Sequence, residues 1–175
     1  ARTKSAYEGL WPLCPDYTFN GDIPNPTPLV ESRFGSANDL RSLVNAAHST
    51  VCANGLPMRV IFDYMPKHVH MNSPVYKNHP DWFVPQAICY TELGADECWK
   101  GWFASCLPSF DYSQPSVRLW STKLAFWWTK EFGFDGMNFT FDAARCINNL
   151  WISEFSNMVR TKMPRVYDER FIILS

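Results

Sequence analysis

Asp142 ends an apolar run, Phe134–Phe141, and Arg145 follows close behind it. A carboxylate at such a strand-to-helix junction can cap the helix by accepting from its first N–H groups, or it can act as a nucleophile. His68 and His70 form an HxH pair. In extended backbone, residues i and i+2 point the same way, so the two imidazoles could share one metal or line a pocket as hydrogen-bonding groups. His48 and His79 are the only further imidazoles, and His48 falls on a predicted helix. Asp63 lies in the apolar stretch just before the pair. A carboxylate buried there needs a partner, so it is either a structural acceptor or an active-site group.

The element that must position Asp63, His68 and His70 is Met58–His70, MRVIFDYMPKHVH. Val60, Ile61, Phe62 and Tyr64 give it the β-branched and aromatic composition of a buried strand. Pro66 then breaks it, because proline cannot donate to a sheet ladder. Strands that are apolar along their length and polar at the C-terminal end are how parallel α/β folds present chemistry.

A helix precedes this strand. Ser36 is a good N-cap, Asp39 sits near the positive end of the dipole, and Leu40, Leu43, Val44 and Ala47 recur as one apolar face. Asn54-Gly55 closes the connection to the strand. Residues 66–116 are rich in breakers (Pro66, Pro74, Pro80, Pro85, Gly94, Gly101, Pro108, Pro115) and read as a long excursion after the strand. Its aromatics, Tyr76, Trp82, Phe83, Tyr90, Trp99, Trp102 and Phe103, either line a sugar groove or form a small core of their own. A second helix spans Val117–Phe132, with Val117, Trp120, Leu124, Trp127 and Trp128 on one side and Gly133 as its stop. The strand Phe134–Phe141, a third helix Asn149–Met163 with Leu150, Ile152, Phe155 and Val159 apolar, and a strand at Phe171–Leu174 follow. Residues 1–35, with five prolines, read as loop, although Tyr7, Trp11, Tyr17 and Phe19 argue against disorder. The alternation predicts an α/β fold with a parallel sheet, open or part of a barrel.

Composition narrows the function classes. With 175 residues one domain is the expectation, and 16 Lys and Arg against 17 Asp and Glu give no electrostatic reason to expect nucleic acid or an anionic membrane as partner. No apolar run reaches the ~18–20 residues of a membrane span, and the first residues lack the apolar core of a secretory signal. The six cysteines contain no CxxC pair, which removes the main support for a zinc ribbon or a thioredoxin motif. Cys89, Cys98 and Cys106 share one region and permit a disulfide, and the compartment stays open.

Several stretches together resemble glycoside hydrolase family 13, the α-amylase family of (β/α)8 TIM-barrel enzymes. GLWPLCPDY is similar to the segment after the second barrel strand, and ESRFGSANDLRSLVNAAH to the RFG turn and its helix. MRVIFDYMPKHVHMNSPVYKNHPDWF resembles the third strand with its D-x-x-x-N-H signature. LPSFDYSQPSVR resembles the L-P-D-L-D-Y-x-x-P-x-V-R run, FGFDGMNFTFDAAR the fourth strand, and ERFIILS the fifth. The resemblance implies that residues 1–175 are part of a catalytic barrel, from after the second strand to the fifth, with 66–116 as the excursion after the third. It also implies retaining hydrolysis of α-glucans, with Asp142 as nucleophile and Asp63, His68, Arg145 and Trp11 lining the sugar subsites.

The departures are specific. The signature Arg, two residues before the nucleophile, is Thr140 here. Anchoring on Asp135-Gly136 instead puts Asn138 at the Arg position and Thr140 at the nucleophile. Lys67 replaces the signature Asn, in many members a calcium ligand, and an ammonium cannot coordinate a cation. Leu10 replaces a Tyr that often stacks on sugar. The family's general-acid Glu would follow Ser175, so a longer protein or another chain is expected to complete the fold. Two readings follow: a segment of an α-glucan-active hydrolase or transglycosylase, or an amylase-like protein that keeps the fold for carbohydrate binding or interaction without catalysis. A metal-dependent hydrolase using His68 and His70 is a third.

Overall fold

A computed structural model describes residues 2–3, 10–11, 30, 34–87, 100–139, 149–162 and 172–174. In chain order the elements are β1 (Arg2–Thr3), β2 (Leu10–Trp11), α1 (Ala37–Ser49), β3 (Ile61–Tyr64), α2 (Pro74–Asn78), α3 (Pro115–Phe132), β4 (Gly136–Phe139), α4 (Asn149–Lys162) and β5 (Ile172–Leu174). A 3-10 turn, Pro80–Trp82, follows α2. β1 and β2 form a short antiparallel ribbon inside a region the sequence presents as loop. β3, β4 and β5 form a parallel sheet in that order, each pair joined through a helix, as the alternation predicts. Among the described residues no helix is long and apolar enough to cross a membrane.

Local chemistry accounts for the helix ends. The Ser36 hydroxyl accepts from the Asp39 N–H while the Asp39 carboxylate accepts from the Ser36 N–H at 2.7 Å, a complete capping box that holds Asp39 below the usual carboxylate range. α3 stops at Gly133, whose φ of 71° is left-handed and cheap only for glycine. α1 docks on α3 through Arg41, which pairs with Glu131 and lies over the Phe132 ring.

The sheet has one covered face. Phe62, Met137, Phe139 and Ile173 point toward α3 and α4, where Phe62 stacks on Phe134 at 4.8 Å and Phe139 meets Trp151 and Phe155 edge-on. By strand alternation Ile61, Asp63, Gly136, Asn138 and Leu174 take the other face, and among the described residues the helices leave it open. Gly136 is required there: a Cβ would stand 2.5 Å from the Ile172 carbonyl oxygen and force β4 from β5.

Three expectations change. Met58–Tyr64 is a strand only over Ile61–Tyr64, and its exposure alternates because one face is bare, so Asp63 is exposed and not buried. Leu43 is 58% exposed and Leu150 56% exposed. Each is about one residue out of helical phase, and the buried positions are Val44 on α1 and Trp151 on α4.

The described aromatics of the excursion pack as part of the main core and not as a separate small one: Trp82 and Phe110 lie against Trp120 of α3, and Tyr112 against Trp151 of α4. Tyr76 meets Phe83 edge-on at 5.0 Å and Trp102 at 5.8 Å, Phe83 stacks on Phe110, and the Trp102 indole donates to the Val84 carbonyl. Tyr90 and Trp99 lie outside the described residues.

Candidate functional site

The site is built at the C-terminal end of β3. Parallel register sets Asp63 opposite Asn138, and the Asn138 amide donates to the Asp63 carboxylate at 3.1 Å on the open face. One residue later Tyr64 points to the covered side, with its hydroxyl buried near Ser121 of α3. Burial pushes the Tyr64 phenol well above its ordinary range, and the nearby Ser121 hydroxyl only partly offsets this.

Beyond Pro66 the chain turns inward. Lys67 and His68 are each 2% exposed, a rare state for a lysine. The Phe103 ring holds both: the His68 imidazole stacks on it at 4.8 Å and the Lys67 ammonium lies 5.7 Å from its centroid. Backbone bonds fix the segment against the returning limb of the excursion, from Phe110 N–H to the Lys67 carbonyl (2.9 Å), Val69 N–H to Pro108 (3.2 Å) and Met71 N–H to Cys106 (2.9 Å). His68 itself bridges Ser109.

His70 sits differently. It is half-buried, and its Nδ1 accepts from the Asn72 N–H at 3.1 Å. Among the described residues no group of three or more His, Cys, Asp and Glu side chains converges as a metal site. The residues also do not fit calcium at the position of the signature Asn. Lys67 offers hydrogen-bond donors and no oxygen acceptor there, and its Nζ is turned to the Phe103 ring.

The structure thus brings Asp63 and Asn138 together, and separately Lys67 and His68. Asp142, Arg145 and Thr140 lie outside the described residues, and of Trp11 only the backbone, in β2, is described.

Two groups carry weight that sequence reasoning missed. Tyr112, quoted only within a motif, donates its hydroxyl to the Pro66 carbonyl at 2.5 Å and meets Ser121 Oγ at 2.8 Å. Its pKa is pushed up by burial and by the neighbouring Tyr64. Asp135, at the opposite end of the strands, accepts from Val60 N–H (2.8 Å), His48 Nε2 (2.8 Å) and Arg59 (3.3 Å). The only local signal for Asp135 is an Asp-Gly at a strand start.

No family model matches the chain. In sequence it is 26% identical over 147 residues to an intracellular maltogenic amylase of Bacillus subtilis, a match covering 79% of this chain and 23% of that enzyme. In structure it is similar to an α-amylase from Geobacillus thermoleovorans complexed with acarbose, with a TM-score of 0.65 and 27% identity over 82% of this chain and 30% of that one. An Anoxybacillus α-amylase matches with a TM-score of 0.64 and 27% identity, over 82% of this chain and 29% of its own. The chain spans less than a third of the length of each of these relatives.

Proposed function

We propose that this chain, which is similar in sequence and in fold to the α-amylase family of glycoside hydrolases, is a segment of an α-glucan-active retaining hydrolase or transglycosylase. The observation that carries the reading is the likeness to amylases in both sequence and fold, with Asp63 on the open face at the C-terminal end of β3. Polar groups at the C-terminal ends of parallel strands are where such sheets take ligands.

In this reading the segment runs from after the second barrel strand to the fifth, and 66–116 is the excursion after the third. Further strands, from the same or another chain, cover the open face, because a parallel sheet is stable only when both faces are covered. Asp142 attacks the anomeric carbon, and a second carboxyl group outside these residues protonates the leaving oxygen from ~5–5.5 Å away. Asp63, His68 and Trp11 hold the reacting sugar, and Arg145 faces the leaving-group side. Lys67 takes the place of a calcium ligand.

A second reading has its own support. Asn138 stands beside Asp63 where the resemblance, anchored on Asp135-Gly136, has a guanidinium. A neutral amide cannot hold a nearby carboxylate ionised as an arginine does. This favours an amylase-like protein that binds oligosaccharide without cleaving it.

Maltooligosaccharide turnover by the full-length protein, with Asp142→Asn as control, tests the proposal. Turnover well above the control supports the enzyme. Turnover equal to the control removes it, and calorimetric binding of the same oligosaccharide then supports the second reading.

A further inference from the structure

The chain just beyond β3 is tied to α3 by two buried hydroxyls whose polarity the geometry fixes. Each hydroxyl has one proton to give. The Tyr112 proton goes to the Pro66 carbonyl, which can only accept, at 2.5 Å. The 2.8 Å contact between Tyr112 and Ser121 must therefore use the Ser121 proton. The order is Ser121 to Tyr112 to the Pro66 carbonyl, with both protons committed.

The relay runs from Ser121 on α3 through Tyr112 on the returning limb of the excursion to the carbonyl of Pro66, two residues beyond β3. Lys67 and His68 follow immediately, and the Phe110 N–H, two residues before Tyr112, caps the Lys67 carbonyl. The same short segment on the returning limb therefore holds both peptide carbonyls from which the Lys67 and His68 side chains are set.

We infer that Tyr112 is a positioning residue: through the Pro66 carbonyl it fixes the course of the chain beyond β3 and so where the buried His68 imidazole stands beside Phe103. It touches no ligand itself. The bearing of this on sugar affinity rests on the function proposed above, whereas the bearing on His68 does not.

Proton NMR of the full-length protein, with the His68 ring signals assigned by His68→Gln, tests this directly. Stacking on Phe103 displaces those signals upfield through the ring current. Tyr112→Phe is expected to move them toward the free-imidazole position and to weaken maltooligosaccharide binding roughly tenfold, the equivalent of one buried hydrogen bond. Ser121→Ala should move them part of the way and Ser121→Thr, which keeps the hydroxyl, should restore them. Val159→Ala, a core truncation on α4, should destabilise the fold and leave the His68 signals in place. A folded Tyr112→Phe protein with unmoved His68 signals overturns the inference. Should Tyr112→Phe not fold, equal His68 shifts in Ser121→Ala and Ser121→Thr overturn it instead. Absence of oligosaccharide binding by the unaltered protein would count against the proposed function alone, since the ring shifts still decide the role of Tyr112.

Discussion

The Asn138 amide and the Asp63 carboxylate meet at 3.1 Å across two parallel strands, in register and on the face the helices leave bare. The amide satisfies part of the carboxylate without adding charge. Asn138→Asp changes that by setting two carboxylates side by side, and like charges at facing positions repel. We expect a loss of about 1 kcal/mol at pH 7, modest because the site is solvated. The loss should fall away in acid as the carboxylates take up protons. Urea midpoints at pH 7 and pH 4 check this, and an equal loss at both would show that geometry, not charge, is responsible.

At the other end of the same strands, Asp135 joins α1, the approach to β3 and the start of β4. Its side chain is 5% exposed and accepts from the Val60 N–H and from His48 and Arg59. The ladder also runs through its backbone, from Asp135 N–H to Val60 and from Ile172 N–H to Asp135. Asp135→Ala leaves those donors without their common acceptor, and the expected cost is about 3 kcal/mol. A shift of the urea midpoint at unchanged slope would measure it. A loss below about 1 kcal/mol, the scale of a surface pair, would mean that water replaces the carboxylate.

Lys67 makes a prediction about ions. Its ammonium is buried beside Phe103, at the position where the resemblance has a calcium-ligating Asn. A lysine there takes away a calcium ligand and leaves no oxygen donor in its place. Thermal unfolding of the full-length protein should therefore be the same in chelator and in millimolar calcium. A melting temperature that falls in chelator and recovers with calcium would contradict this role for Lys67.

How much of this was legible depends on how far apart the partners lie in the chain. The Ser36–Asp39 cap and the Gly133 stop are local, and both are as the residue types require. The alternation of helix and strand is semi-local and was equally plain. The exposure of Asp63 was not, because it depends on what covers the second face of the sheet. Leu43 and Leu150 misled because an apolar residue next to a core position looks like part of the stripe. The Asp135–His48 contact spans 87 residues and the Tyr112–Pro66 contact 46, and no periodicity encodes either. For Asp142 and Arg145 the sequence remains the source of the expectation.

The buried tyrosines set how the fold responds to alkali. Burial raises both the Tyr64 and the Tyr112 phenols above their ordinary range, and for Tyr112 the neighbouring Tyr64 adds to the effect. The sign follows from linkage. A group whose pKa is higher folded than unfolded favours the folded state fully below its unfolded pKa, and that advantage is lost as pH climbs toward the folded value. The unfolded chain releases these protons near pH 10, so stability should be level up to about pH 9.5 and fall beyond it. Each tyrosine adds a slope of up to about 1.4 kcal/mol per pH unit while only the unfolded state is ionised. Tyr64→Phe removes one of the two contributions, and keeps the ring that packs at the end of β3. Urea unfolding at pH 9, 10 and 11 should therefore show a shallower decline for Tyr64→Phe than for the unaltered protein. Parallel declines would place the alkaline sensitivity in groups other than the Tyr64 phenol.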